Sequence, residues 1–148
     1  EQKARLEKQI GEEVTIKYGC SLDEVTLPDG IIYTQDFHEV INDDEVDVIV
    51  ELIGGTTIAK TIILEALKKG KHVVTANKAL IAHDGQEIFE TASQHNAKIY
   101  YEASVGGGIP VVVPAKEDLI ANEIEKIEGI LNGTTNFILT LMELLLLI

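Results

Sequence analysis

The chain contains 148 residues, of which 45% are apolar, 25% are charged and 5% are aromatic, and these values are typical of a globular protein that buries a core without disulfide or metal staples. Twelve basic and 25 acidic residues give a net charge of −13, which argues against nucleic acid and anionic membranes as main partners because a negative surface repels both. A single cysteine, Cys20, excludes an internal disulfide framework and, with a polar start that predicts no secretory signal, indicates a cytoplasmic protein.

The first 45 residues predict only short elements. A charged stretch over Glu1–Ile10 is expected to form a helix that Gly11 stops, and the alternation of apolar and polar residues over Val14–Tyr18 predicts a short strand. The next segments are expected to be a loop over 19–30, an extended segment over 31–34 and a helix or turn over 36–42. These signals alone do not define a fold class.

From residue 46 onward, strand and helix patterns alternate strongly. The nearly continuous apolar run Val46–Ile53 predicts a strand covered on both faces. Two glycines end that run, and a threonine after them can cap the next helix. This helix is expected to bury a stripe that includes Ala59, Ile63 and Leu67, and to end at the Lys-Lys-Gly sequence of residues 68–70.

The alternation continues to about residue 103. His72–Ala76 predicts a second buried strand, and Asp84 and Glu87 have capping-box spacing before a helix that is expected to end near His95. Lys98–Ala103 predicts a third strand. Strands and helices alternating at this spacing predict an α/β fold with a doubly wound, Rossmann-like parallel sheet.

The element order also predicts two domains. A doubly wound sheet normally opens with a strand and a G-x-G-x-x-G turn, and this chain opens with a helix, so 1–104 is expected to be a dinucleotide-binding domain whose first strand is missing. Residues 105–148 are expected to begin a second domain. Its predicted elements are a helix over 117–121, a strand over 124–131, an apolar helix introduced by 132–136, and an apolar tail that drives self-association.

Two strand ends carry residues that suit a ligand site, since ligands of open α/β sheets bind outside the carboxyl ends of the strands. Gly54 and Gly55, followed by Thr56, let the backbone approach a ligand, or they form only a tight turn before a capped helix. Asn77 and Lys78 follow the next strand. There the lysine could bind a cofactor or substrate or transfer a proton, or it could be a solvated loop residue.

The third strand end combines Glu102 with three glycines at 106–108. Exposed carbonyl oxygens and one carboxylate suit a hard cation, which takes oxygen ligands. A flexible hinge between two domains explains the same glycines, and the residues alone favour the hinge.

These motifs, in this order, resemble the homoserine dehydrogenase family. The resemblance rests on Val46–Thr56, Gly70–Ala82, Tyr101–Pro110 and Gly129–Thr140. It implies an oxidoreductase that interconverts L-homoserine and L-aspartate 4-semialdehyde by hydride transfer with NADP(H) or NAD(H). It also implies a place in threonine, methionine and isoleucine biosynthesis and a homodimeric assembly.

The resemblance assigns roles to the cofactor side of the site. By resemblance, Gly54, Gly55, Thr56 and Asn77 border the nicotinamide side of the cofactor. Lys78 matches the family lysine at the meeting point of nicotinamide and substrate, and is therefore both a cofactor-binding and a catalytic residue.

The resemblance also implies a monovalent cation, usually sodium. Glu102 and the backbone carbonyls of Val105, Gly107 and Ile109 match that site in the family. This favours a cation site over a simple hinge. Residues 105–148 match the start of the substrate-binding and dimerisation domain.

The chain also departs from the family pattern. The glycine-rich turn is absent and the family's substrate-binding glutamate, aspartate and second lysine lie beyond residue 148, so the chain is expected to be an incomplete and, by itself, inactive portion of the enzyme. Residues 19–27 lack the basic pattern of many relatives, which leaves the choice between NADP and NAD open. The alternatives are another semialdehyde or imine reductase on this fold, and a non-catalytic α/β module that dimerises or regulates.

Overall fold

The computed structural model describes residues 2–129, 137 and 139–143, and the chain divides into two compact units, Glu1–Asp47 and Val48–Ile148. Its elements in chain order are α1 (Lys3–Ile10), β1 (Tyr18–Cys20), β2 (Ile32–Thr34), α2 (Phe37–Asn42), β3 (Val48–Glu51), α3 (Ile58–Lys68), β4 (His72–Thr75), α4 (Lys78–Gln94), β5 (Ile99–Tyr100), a 3₁₀ turn (Glu102–Ser104) and a π-helical turn (Pro114–Asp118). All strand pairs are parallel, in one sheet of order β1-β2 and another of order β3-β4-β5. The predicted α/β class is confirmed.

In the first unit, α1 ends as predicted at Gly11, whose φ of +84° lets its N–H donate to the carbonyl of Glu7 at 2.8 Å. The predicted strand over Val14–Tyr18 is wrong, because pairing with β2 starts only at Tyr18. The N–H of Val14 donates instead to the carboxylate of Glu7 at 3.0 Å. The alternating pattern therefore precedes the strand instead of forming it.

The predicted helix or turn over 36–42 is confirmed as α2. The Asp36 carboxylate caps it by accepting the N–H of His38 at 2.9 Å. After α2, the Asp43 carboxylate contacts the Lys17 ammonium at 2.6 Å and the Tyr18 hydroxyl at 2.7 Å. The ammonium, followed by the hydroxyl, holds the pKa of Asp43 well below its usual range. These contacts fasten the start of β1 to the end of α2.

In the second unit, β4 is the central strand, with Glu51 of β3 opposite Thr75 and Ile99 of β5 opposite Val73. The helix α3 follows the prediction at both its buried face and its end, where Gly70 has a φ of +76°. Its buried residues are Ala59, Ile62, Ile63, Ala66 and Leu67. Together with Val73, Leu80 and Ile88 of the neighbouring elements they form the core of this unit.

The described residues of the second unit cover only one face of its sheet. Ile49 is buried, whereas the side chains of Val48 and Val50 are 47% and 59% exposed. The apolar run had predicted a strand covered on both faces, and this is wrong within the unit. The reason is that, among the helices described in this unit, α3 alone packs extensively on β3, and it also packs against β4 and α4.

The start of α4 differs from the predicted one. The helix begins at Lys78, with the Asn77 side chain as its cap, so the predicted capping box at Asp84 and Glu87 is wrong. Both acids lie inside the helix, where each contacts the ammonium of Lys60 at 2.7 Å. The two acids therefore form a salt bridge between α3 and α4, and their capping-box spacing does not mark a helix start.

The chain after β4 forms less regular structure than predicted. The strand predicted over Lys98–Ala103 is only two residues long, and the 3₁₀ turn starts at Glu102. The helix predicted over 117–121 lies earlier, at Pro114–Asp118, because proline is favoured in a first helical turn. The described residues 123–129 form no strand, and 137 and 139–143 are helical. Three predictions fall wholly or partly outside the described residues: the end of the strand over 124–131, the cap at 132–136, and positions 138 and 144–148 of the apolar tail. Across the described ranges, no helix combines the length and apolar character that crossing a membrane requires.

Candidate active site

The candidate site is built where β3 and β4 end. Because the two strands are parallel and Glu51 pairs with Thr75, the chain leaves both strands at the same edge of the sheet. Gly54 and Gly55 follow β3, and Asn77 and Lys78 follow β4. The structure therefore brings together the two predicted cofactor-binding segments.

The turn after β3 depends on its glycines. Gly54 and Gly55 have φ values of +78° and +71°, a conformation that strains residues with a Cβ, and among the described residues no atom beyond the adjacent ones in the chain lies within 4 Å of where either Cβ would be. Thr56 is exposed beside them. The hydroxyl of Thr57 forms no cap hydrogen bond, so the predicted threonine cap is wrong for this residue. The N–H groups in the first turn of α3 are therefore not occupied by the Thr57 side chain. An open backbone next to a helix start suits an anionic or polar ligand group.

Asn77 joins the two segments. Its side-chain N–H donates to the carbonyl of Gly55 at 2.7 Å, and its side-chain oxygen accepts the N–H of Leu80 at 3.1 Å. One amide side chain therefore fixes the glycine turn and caps α4 at the same time. This role was not predicted from the sequence, in which Asn77 is assigned only to the cofactor side of the site and only by resemblance.

Lys78 is the first residue of α4, and its side chain is exposed. In the region that the structure describes, its ammonium has no ion pair or hydrogen bond, unlike that of Lys60 on the neighbouring helix. A cation in the first turn of a helix opposes the positive end of the helix dipole. Its position therefore does not stabilise the fold, and it leaves a free positive charge at the end of the sheet.

Two residues behind these segments were not identified from the sequence. The Glu51 carboxylate is 2% exposed and accepts the N–H of Ile53 at 2.8 Å and of Gly54 at 3.0 Å. The Thr75 hydroxyl is 1% exposed, donates to Glu51 at 2.6 Å and accepts the N–H of Asn77 at 3.0 Å. A glutamate ending an otherwise apolar strand was the available signal, because a carboxylate is rarely buried without bound donors.

The third segment is organised by Glu102. Its carboxylate accepts the backbone N–H groups of Val111, of Val112 at 2.9 Å and of Val113 at 2.8 Å. The Val111 N–H, followed by those of Val113 and Val112, lowers the pKa of Glu102 against the opposing effect of desolvation. The glutamate thus closes the loop over residues 103–110 on its own side chain.

The predicted cation ligands lie on this closed loop. The carbonyls of Val105, Gly107 and Ile109 accept no hydrogen bond from the described residues, whereas the Gly106 carbonyl accepts the N–H of Ile109 at 3.2 Å. Three neutral carbonyls and one carboxylate are a donor set that fits a hard monovalent cation. Over the described ranges, no group of three or more His, Cys, Asp or Glu side chains is arranged to hold a metal ion.

Replacing Glu102 with glutamine is expected to loosen the loop, because an amide nitrogen cannot accept the N–H groups that the carboxylate binds. Hydrogen exchange at Val111–Val113, measured by mass spectrometry, should become faster. A lowered pKa stabilises the fold above the ordinary carboxyl pKa, and that contribution disappears as the pH falls through the lowered value. Protection of these amides should therefore decrease in acid in the unmodified protein.

The matched control is Glu117→Gln, since this glutamate is exposed three residues after Pro114. It removes the same charge a few residues away, and it should leave exchange at Val111–Val113 unchanged. Equal effects of both substitutions, or unchanged exchange in Glu102→Gln, would show that the carboxylate does not hold the loop.

Comparison with known proteins defines the class of this domain. The sequence model described as "Homoserine dehydrogenase, NAD binding domain" matches residues 29–102, and that described as "Homoserine dehydrogenase" matches residues 110–145. The first match contains the glycine turn, Asn77 and Lys78. The fold and this match therefore define the class of the region as an NAD-binding α/β domain.

Individual relatives specify the family. The homoserine dehydrogenase of Neisseria gonorrhoeae is 44% identical over 140 residues, which are 93% of this chain and 32% of that protein, and that of Pseudomonas aeruginosa is 52% identical over 109 residues, 74% of this chain and 25% of that protein. The crystal structure of a homoserine dehydrogenase from Thiobacillus denitrificans superposes with a TM-score of 0.81 at 38% identity, over 92% of this chain and 32% of that one. The chain belongs to the homoserine dehydrogenase family, and it spans a third or less of the length of these relatives.

Proposed function

We propose that the protein containing this chain interconverts L-homoserine and L-aspartate 4-semialdehyde by hydride transfer with NADP(H) or NAD(H). The observation that carries the proposal is the hydrogen bond of 2.7 Å from Asn77 to the Gly55 carbonyl. It joins the glycine turn to the segment that bears Lys78, inside the part of the chain that matches an NAD-binding domain. The family supplies the substrate, since its members are named for homoserine.

The chain's own residues have distinct roles in this reaction. Gly54, Gly55, Thr56 and Asn77 would bind the nicotinamide end of the cofactor, which when bound supplies or accepts the hydride. Lys78 would hold its positive charge against the oxygen of the reacting carbon and provide a proton there as the aldehyde becomes an alcohol. The absence of any ion pair to this ammonium within the described residues supports the role.

The proposal extends to the cation and to the domains. Glu102 and the carbonyls of Val105, Gly107 and Ile109 would hold sodium, which fixes the loop that follows β5. Residues 1–104 would form the dinucleotide-binding domain, and 105–148 would begin the substrate-binding domain that also makes the homodimer contacts. The free cysteine at position 20 suits the reducing cytoplasm, where threonine, methionine and isoleucine would be made.

A direct assay tests the proposed function. The polypeptide as its gene encodes it is mixed with aspartate 4-semialdehyde and NADPH or NADH, and absorbance follows the loss of reduced nicotinamide. Turnover that depends on the semialdehyde is expected, and the ratio of the two rates gives the cofactor preference. The rate should fall when tetramethylammonium replaces sodium. Cofactor binding without turnover would favour a non-catalytic module, and so contradict the proposal.

A further inference from the structure

Within the described part of the chain, the buried Glu51 carboxylate has no partner of opposite charge. Its contacts are the N–H groups of Ile53 and Gly54 and the hydroxyl of Thr75, and it forms no ion pair among the described residues. Removing a carboxylate from water is costly unless donors replace the lost hydration. An apolar side chain would serve the sheet better at this position, so the packing of β3 alone does not explain the glutamate.

The two carboxylate oxygens point to different segments. Oε1 accepts both N–H groups from the start of the glycine turn, whereas Oε2 accepts the Thr75 hydroxyl at the end of β4. The Thr75 oxygen in turn accepts the N–H of Asn77. Because that N–H occupies a lone pair of the hydroxyl, the hydroxyl proton is directed to Glu51, and each contact fixes the next one.

The chain of contacts closes on itself. Asn77 donates from its side chain to the Gly55 carbonyl at 2.7 Å. The glycine turn is therefore held at two points, by Glu51 at the N–H groups of Ile53 and Gly54 and by Asn77 at the Gly55 carbonyl. The ring of hydrogen bonds runs from Glu51 through Thr75 and Asn77 to Gly55 and back along the turn. Glu51 and Thr75 are the buried members of this ring, and Asn77 and Gly55 lie at the end of the sheet that carries the candidate site.

We propose that Glu51 is a positioning residue that holds the Gly54-Gly55 turn and the start of α4 at one fixed spacing. The inference rests on the proposed function, since the spacing matters for catalysis only if the cofactor binds between these segments. Glu51 acts through Thr75 and the turn, and touches neither cofactor nor substrate. Lys78, directly after Asn77, is placed by the same ring.

The test uses the polypeptide as its gene encodes it, with four single variants and the double variant Glu51→Gln/Thr75→Val, numbered as in this chain. Glu51→Gln keeps the length of the side chain, but its amide N–H₂ cannot accept a hydrogen bond, so in either orientation it loses the contact with the Thr75 hydroxyl or those with the N–H groups of Ile53 and Gly54. Thr75→Val removes the hydroxyl at nearly constant volume, and Thr75→Ser keeps it. Thr91→Val is the matched control, since Thr91 is also buried and, among the residues described, its hydroxyl bonds only to the Glu87 carbonyl within α4.

Each of Glu51→Gln and Thr75→Val is expected to raise the Kd for NADPH about tenfold and to lower kcat by a similar factor, because a displaced binding group loses its alignment. The double variant should be no worse than the worse single variant, since both substitutions break the same link. Thr75→Ser should restore values close to those of the unmodified protein. Thr91→Val should change neither constant.

Two results would overturn the inference. One is a double variant whose fold-changes are the product of those of the single variants, which would make the two residues independent. The other is a pair of single variants that behave like Thr91→Val in binding and kcat. Either result leaves the proposed function intact if the unmodified protein still turns over.

Hydrogen exchange separates this inference from the proposed function. If the unmodified protein neither binds NADPH nor turns over, the proposed function fails, but positioning still predicts faster exchange at the N–H groups of Asn77 and Leu80 in Glu51→Gln, and unchanged exchange there in Thr91→Val. Unchanged exchange in Glu51→Gln as well would refute the positioning role by itself.

Discussion

Replacing Lys78 with alanine is expected to lower kcat about a hundredfold to ten-thousandfold, because under the proposed function the variant loses the cation and proton donor at the strand end where negative charge develops. The free energy of unfolding should stay the same or rise by about 0.3–1 kcal/mol, since the positive charge in the first turn of α4 opposes the helix dipole. Steady-state kinetics and denaturant unfolding of the polypeptide as its gene encodes it measure both quantities.

The control for this substitution is Lys69→Ala, which removes an exposed lysine from the end of α3. It should leave kcat unchanged, because that end of the helix is not at the candidate site. An unchanged kcat in Lys78→Ala would remove Lys78 from the mechanism. A loss of activity that accompanies a loss of folding would show instead that the residue has a structural role.

Leu80→Ala is expected to lower the free energy of unfolding by about 2–5 kcal/mol, the usual cost of emptying a fully buried leucine site. The Leu80 side chain is 0% exposed, and its N–H is capped by Asn77 at 3.1 Å. Because Leu80 anchors the first turn of α4, its loss should also lower kcat by releasing Lys78 from its position. Denaturant unfolding followed by circular dichroism gives the first quantity, and steady-state kinetics gives the second.

Ile81→Ala is the matched comparison, since Ile81 is the next residue of the same turn and is only partly buried. A smaller destabilisation and a nearly unchanged kcat are expected. Equal losses for the two substitutions would show that the first turn of α4 is not anchored through Leu80.

The regular part of the fold was predictable because its signals are local. In α3 the apolar positions recur at helical spacing, and Gly70 supplies the left-handed residue that ends the helix. The start of α4 was not predictable in the same way. Asp84 and Glu87 have the spacing of a cap, but the spacing arises from Lys60, a partner 24 residues away in the sequence from Asp84.

The first unit shows the same limit in its strands. An alternating pattern over Val14–Tyr18 predicts a strand, yet the sheet begins at Tyr18 because the partner β2 determines the register. A strand forms only where a second strand pairs with it, and that pairing is not contained in either segment alone.

The residues of the candidate site that follow the two strands could be selected from the sequence. Glycines and a lysine after buried strands are unusual in sequence, so Gly54, Gly55 and Lys78 stood out. Glu51 and Thr75, which support these residues, did not stand out. Thr75 is an ordinary strand residue, and Glu51 resembles the polar end of an apolar run. Only the strand register shows that these two side chains meet.

The contact between Glu51 and Thr75 also bears on how the sheet assembles. A slip of two residues between β3 and β4, which keeps each side chain on its own face of the sheet, would place Val73 opposite Glu51 and would bury the carboxylate without the hydroxyl that donates to it. Because an unpartnered buried carboxylate is far more costly than a mismatched apolar pair, misaligned pairings are disfavoured during folding. Glu51 and Thr75, which support the candidate site, therefore also favour the correct register between β3 and β4.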